Sequence, residues 1–74
     1  MKYILIDDCS TDVYTSEFDN QADAISAGND QFDRLTKSDL KRRKAFYVLE
    51  SVNADENAEN HFDGDIVKEW KVKA

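Results

Sequence analysis

The stretch from Phe18 to Leu40, FDNQADAISAGNDQFDRLTKSDL, constrains the rest of the chain. Ile25, Gly28, Phe32 and Leu35 follow one another at intervals of three, four and three, the repeat of one helix face. Ala22, Ala24 and Ala27 widen that face, and Asp23, Asp30 and Asp33 fall largely away from it. Asp19 is the expected N-cap, with Phe18 before it as a hydrophobic staple. Asp23 then sits in the first turn, where a carboxylate suits the positive end of the helix. The pattern predicts an amphipathic helix of about four turns. Gly28 costs about 1 kcal/mol of helix propensity but lies on the apolar face, so it is expected to mark a close approach to a sheet. Thr36 and Asp39 form a capping box, an Asp variant of the usual Glu or Gln kind. They predict a short second helix from Lys37 to Arg43, with Leu40 as its one strong apolar anchor.

The flanks read as strands. Tyr3, Ile4, Leu5 and Ile6 form an unbroken apolar run within a strand over 1–7, and such a run belongs to a strand covered on both faces. Asp8 to Asp12 is a polar turn, and Val13, Tyr14 and Thr15 resume extended character up to Glu17. So short a connection predicts an antiparallel pair. Beyond the helices, Ala45 to Val52 places Phe46, Val48, Glu50 and Val52 on one side and Tyr47, Leu49 and Ser51 on the other. Large groups on both sides predict an internal or dimer-covered strand. Asn53 to His61 is polar and acidic, an extended loop or one or two weak helical turns, and Asp63-Gly64 is a turn signal. Ile66 to Val72 reads as a last strand with Ile66, Lys68, Trp70 and Val72 on one side. Trp70 is expected to cover an edge of the core and to need a partner or water for its indole N–H. Together these elements predict one α+β domain of two layers. It has a mainly antiparallel sheet of three or four strands, one main helix and a short second helix, in the order ββααββ. The expected core joins Ile4, Ile6, Phe18, Leu40, Phe46, Val48 and Trp70 to the helix face.

Composition narrows the function classes. A chain of 74 residues has room for one core, and one cysteine staples nothing within the chain. The formal charge of -6 opposes nonspecific binding to nucleic acid or anionic membrane. No stretch approaches the roughly 20 apolar residues of a membrane span. Asp7 and Asp8 end the first apolar run too early for a signal peptide, which makes a cytoplasmic protein the simplest expectation.

Against that background the sharpest charge feature is basic. Lys37, Lys41, Arg42, Arg43 and Lys44 are five of the ten Lys and Arg, with Asp39 the one acid among them. Such a cluster suits an acidic protein patch or phosphates. It lacks the interleaved aromatic platform of a single-strand binder. A basic last turn also suits a helix C-terminus without any partner. The cluster on one copy facing the acidic 55–65 segment of another is a further arrangement, a homodimer. Asp55, Asn57 and Glu59 alternate like the ligands of a calcium loop, but Ala58 stands where that loop needs glycine. His61, near Asp63 and Asp65, is the one histidine available to a metal or acid–base site, and a Cys9–His61 nucleophilic pair would need the fold to bring the two together. Asp7 and Asp8 after Ile4–Ile6 are similar to the acidic pair of a response-regulator receiver, over those residues alone and in a chain too short for that fold. Two glycines provide poorly for a phosphate loop. No catalytic residue, metal ligand or cofactor site is assigned.

Three stretches carry a resemblance: the FDNQADAISAGNDQF helix, the LTKSDLKRR turn, and AFYVLESVNADENAENHFDGD before the last strand. They resemble small uncharacterised proteins of Firmicutes and their mobile elements, a group with no assigned activity, ligand or catalytic residue. The resemblance implies a bacterial, cytoplasmic accessory protein. The expectation from residues and resemblance together is a non-enzymatic protein-interaction module, with a nucleic-acid regulator using Lys37–Lys44 and a small metal-dependent factor near His61 as the alternatives.

Overall fold

The computed structural model describes residues 2–53 and 62–72. Strands β1 (Lys2–Cys9) and β2 (Val13–Phe18) lead into helices α1 (Gln21–Asp33) and α2 (Lys37–Arg42), and strands β3 (Arg43–Ser51) and β4 (Gly64–Trp70) follow. The strands form one antiparallel sheet in the order β2-β1-β3-β4. Both hairpins therefore pair in sequence, and the central contact joins β1 to β3 across the helices. β3 is internal, between β1 and β4, and it is buried on both faces, by Phe46 and Val48 on one and Leu49 on the other.

Alternation along the strands splits the apolar residues between two faces. Toward α1, Leu5, Ala24, Phe46 and Val48 are buried, with Phe18, Ile25, Phe32, Val67 and Trp70 packed around them. On the other face Ile4, Ile6 and Leu49 form a second buried cluster, with Tyr47 and Phe62 against it. This corrects one expectation. Ile4 and Ile6 belong to the core, but they are not the helix's partners; Leu5, between them, is. Leu40 and Leu35 are half-buried, and Ala22 is exposed.

The helix N-cap is Asn20, one residue later than expected: its side-chain oxygen accepts from the Asp23 N–H at 2.8 Å. Asp19 instead takes the Lys2 ammonium at 2.6 Å, which holds its carboxyl below the usual carboxylate range, first through the hydrogen bond and then through the charge. The second cap is as expected. Thr36 accepts from the Asp39 N–H at 3.2 Å, and Asp39 accepts from the Thr36 N–H at 3.0 Å. The helix it starts ends at Arg42, because Arg43 already has extended backbone.

β4 departs from simple alternation. Val48 faces Lys68 and Leu49 faces Ile66, so Val67 is an extra residue in the ladder, a bulge. The bulge turns Val67 and Trp70 toward α1 together and leaves Ile66 outside at 53% exposure. Gly64, with φ 153, opens the strand where a side chain would strike the Glu50 carbonyl.

Gly28 makes the close approach that its position on the apolar face implies. A methyl there would lie 3.0 Å or closer to three atoms of the Trp70 benzo ring. The indole also meets Phe46 edge-on at 5.1 Å and Phe32 at 6.4 Å between centroids. Its N–H donates to Asn29 Oδ1 at 3.0 Å. Gly28→Ala gains about 1 kcal/mol of helix propensity but must displace a rigid ring from a packed site, at about 1–3 kcal/mol. The clash wins, and urea unfolding of Gly28→Ala is expected to show a lower midpoint at unchanged slope.

A candidate basic interaction surface

The capping box starts α2, and Leu40 seats it, half-buried, so the polar residues of KSDLKR face outward. Lys37 and Lys41, four apart, share one helix face. Lys37, Lys41, Arg42 and Lys44 are all exposed, and among the described residues no carboxylate forms an ion pair with them. Arg43 behaves differently from its neighbours. Its side chain is 15% exposed and turned inward, where Nε and Nη2 donate to the two oxygens of Asp7 at 2.9 and 3.1 Å. Nη1 donates to the Asp39 carbonyl at 3.1 Å. This bidentate fork joins the end of α2 to β1, and the Ser10 N–H to Arg42 carbonyl bond at 2.8 Å ties the β1–β2 turn to the same point. The hydrogen bond to Asp7 raises the Arg43 pKa above its ordinary value. Arg43 serves the fold, and the outward charge belongs to the other four.

Strand pairing adds what the sequence reading left out. Phe46 lies opposite Trp70, so the start of β3 and the end of β4 are neighbours. Lys44, Ala45, Glu69, Trp70, Lys71 and Val72 line a shallow cleft of about 250 Å³ there. Lys71 thus joins the cationic surface, although it lies far from α2 in sequence. The signal available in the sequence was the three lysines of KEWKVK, legible only once β4 is placed beside β3. Trp70 and Val72 give the cleft an apolar lining. The Trp70 ring is nonetheless committed: Gly28 backs one side, and the Lys68 ammonium lies 5.6 Å from its centroid.

The acidic and nucleophilic candidates do not converge. Asp7 and Asp8 point to opposite faces of the sheet, Asp7 held by Arg43 and Asp8 on the side of Tyr47. There the Tyr47 hydroxyl is pushed up, first by burial and then by the charges of Asp8 and Glu69. The Cys9 thiol donates to Asp7 Oδ1 at 3.6 Å. Burial, then the Asp7 charge, raises its pKa, the reverse of an activated thiolate. Among the described residues no three of His, Cys, Asp and Glu are grouped to hold a metal ion. His61, Asp55, Asn57 and Glu59 lie outside the described residues. Asp63 is described: its N–H donates to Asn53 Oδ1 at 2.8 Å, as part of the turn before β4. No described helix is long and apolar enough to cross a membrane. Comparison with family models, curated proteins and solved structures gives no match, so the surface is read from its own geometry.

Two outcomes follow from the α2 geometry. Asp7→Asn removes the charge from a largely buried fork and is expected to cost about 2 kcal/mol. It also lowers the Cys9 pKa, since the Asp7 charge that raises it is gone while Arg43 stays close. Faster alkylation of the folded variant at mildly alkaline pH checks this. Separately, the Asp39 carboxyl is held below the usual carboxylate range, chiefly by the hydrogen bonds to Thr36. The unfolded chain therefore takes up its proton first as pH falls. The stabilisation is complete above about pH 4 and is lost as pH drops through the depressed folded value. Thr36→Ala is expected to cost about 1 kcal/mol and to flatten that acid limb in a series of thermal melts across pH.

Proposed function

We propose that this protein is a non-enzymatic, cytoplasmic interaction module that binds an acidic protein segment through Lys37, Lys41, Arg42, Lys44 and Lys71. The observation that carries this reading is a set of exposed cations with no carboxylate partner among the described residues, on a chain whose net charge is -6. Carboxylates are abundant, yet the ion pairs among the described residues use Lys2 and Arg43. The outward cations keep a local positive field that steers an acidic partner. The cleft beside Trp70 and Val72 adds a place for an apolar side chain flanked by acids. A protein segment suits the surface better than single-stranded nucleic acid, because the Trp70 ring is committed to Gly28 and Lys68 rather than open to a base.

The test is a titration of the protein at low salt with a glutamate-rich peptide carrying one leucine, and in parallel with a single-stranded oligonucleotide, followed by amide NMR. Shifts are expected at Lys41–Ala45 and Lys71 with the peptide, and the triple variant K41E/R42E/K44E is expected to weaken binding at least about tenfold, or about 1.4 kcal/mol. Tighter binding of the oligonucleotide at the same residues would make the protein a nucleic-acid reader. An absence of shifts with either ligand would remove the surface from consideration.

A further inference from the structure

The two edges of the sheet are built differently. β4, one edge, carries Asp65, Lys68 and Glu69 in seven residues, opens on Gly64 and is interrupted by the Val67 bulge. Charges and bulges of this kind keep an edge from pairing with another strand. β2, the other edge, reads VYTSEF: one charge, no proline, no lysine, and an unbroken register with β1 from Val13 to Phe18. Val13 and Tyr14 are 59% and 60% exposed.

The pairing shows which backbone groups are available. The Cys9 N–H donates to the Asp12 carbonyl at 2.8 Å, which makes Cys9 and Asp12 a hydrogen-bonded pair of the hairpin. Such pairs alternate along an antiparallel ladder. Tyr14, Ser16 and Phe18 therefore bond toward β1, through Asp7, Leu5 and Tyr3. Val13, Thr15 and Glu17 turn their N–H and C=O groups outward.

We propose that β2 pairs with β2 of a second copy, antiparallel about a two-fold axis, to make one continuous eight-stranded sheet. The strand is self-complementary. With Ser16 opposite Ser16 of the second copy, each Tyr14 lies opposite Phe18 of the other on the helix side, and each Thr15 lies opposite Glu17 of the other. Both aromatic pairs fall at non-hydrogen-bonded positions, where side chains come closest. Glu17 is never directly opposite Glu17; the two lie on a diagonal, about 7–8 Å apart, a repulsion that salt screens. Six residues of edge bury less than the about 1,200 Å² of a standard interface, so the dimer is a weak, concentration-dependent one. It uses the edge opposite the basic cleft and stands apart from the function proposed above.

The salt response separates this dimer from one in which the basic surface meets an acidic segment of a second copy. Salt dissociates the latter, whereas β2 pairing of two chains of charge -6 strengthens or holds as salt rises. The experiment combines sedimentation of the full chain over a range of concentration and salt with amide hydrogen exchange by NMR. A dimer is expected to form as concentration rises, and the Val13, Thr15 and Glu17 amides are expected to slow with it. Tyr14, Ser16 and Phe18 stay protected throughout. Thr15→Pro removes an outward donor, and Tyr14→Lys puts a charge at an exposed position that the core does not use. Each is expected to raise the dissociation constant at least about tenfold with an unchanged circular dichroism spectrum. A monomer at every concentration, a dimer that salt dissolves, or a dimer in which those three amides exchange freely would overturn the proposal. So would a folded Tyr14→Lys that dimerises like the parent protein.

Discussion

The contact between the Trp70 indole and the bare backbone of Gly28 is the constraint on which the two layers depend. A helix of 13 residues with only Ala24 and Gly28 buried has little apolar mass of its own. Ile25 and Phe32 pack against Leu5, Phe46 and Val48 from its half-buried flank, and one large ring from the last strand reaches across and lies against its backbone. Phe32 and Phe46 close around that ring at 5.6 Å from each other, and Asn29 takes the indole N–H, so the polar atom is satisfied. The bulge at Val67 is part of the same device, since it allows two successive apolar groups of β4 to face the helix. The cleft beside Lys44 and Lys71 lies along the outer flank of this packing.

Charge is divided between maintaining the fold and presenting a surface. The Arg43 fork on Asp7 is shielded from solvent and makes two short hydrogen bonds, the geometry in which an ion pair fixes one element against another. The Lys2–Asp19 pair is open to water and contributes little. Removing Arg43 from the outward set leaves the remaining cations on α2 and at the β3–β4 end. The same fork keeps Asp7 occupied, while burial and the Asp7 charge raise the Cys9 pKa against the pull of Arg43, so the acidic strand end lies beside a thiol with no reactive signature.

Much of this was legible in the residues, for reasons that differ from place to place. The α1 face, the Thr36–Asp39 cap and the role of Gly28 depend on local spacing, so the chain states them directly. The hairpin of β1 and β2 follows from a short polar turn. The N-cap slipped by one residue because Asp19 and Asn20 are both good caps and a distant lysine claimed the first. Which of Ile4, Leu5 and Ile6 meets the helix was hidden, because a strand buried on both faces shows no alternation. The Val67 bulge and the arrival of Lys71 beside Lys44 were beyond reach for another reason: both depend on the register of β4 against β3, set by pairing across a connection rather than by β4 alone. Arg43 reads as one more cation of a basic run until Asp7 is placed opposite it.

The strand order has a consequence for how the chain reaches this state. β1 and β3 form the middle of the sheet, yet their pairing runs from Cys9 with Arg43 to Lys2 with Ser51. Everything cheap in loop-closure entropy forms at the periphery: the first hairpin, α1 and the capped turn of α2. The centre zips only after two helices have been looped out, with no reward until it does. The folding barrier is therefore topological, raised by non-local pairing in a small protein that would otherwise be quick to fold. Until β1 and β3 meet, the apolar run Tyr3–Ile6 lacks the second of its two partner strands, and that interval is when the chain is most open to the wrong strand.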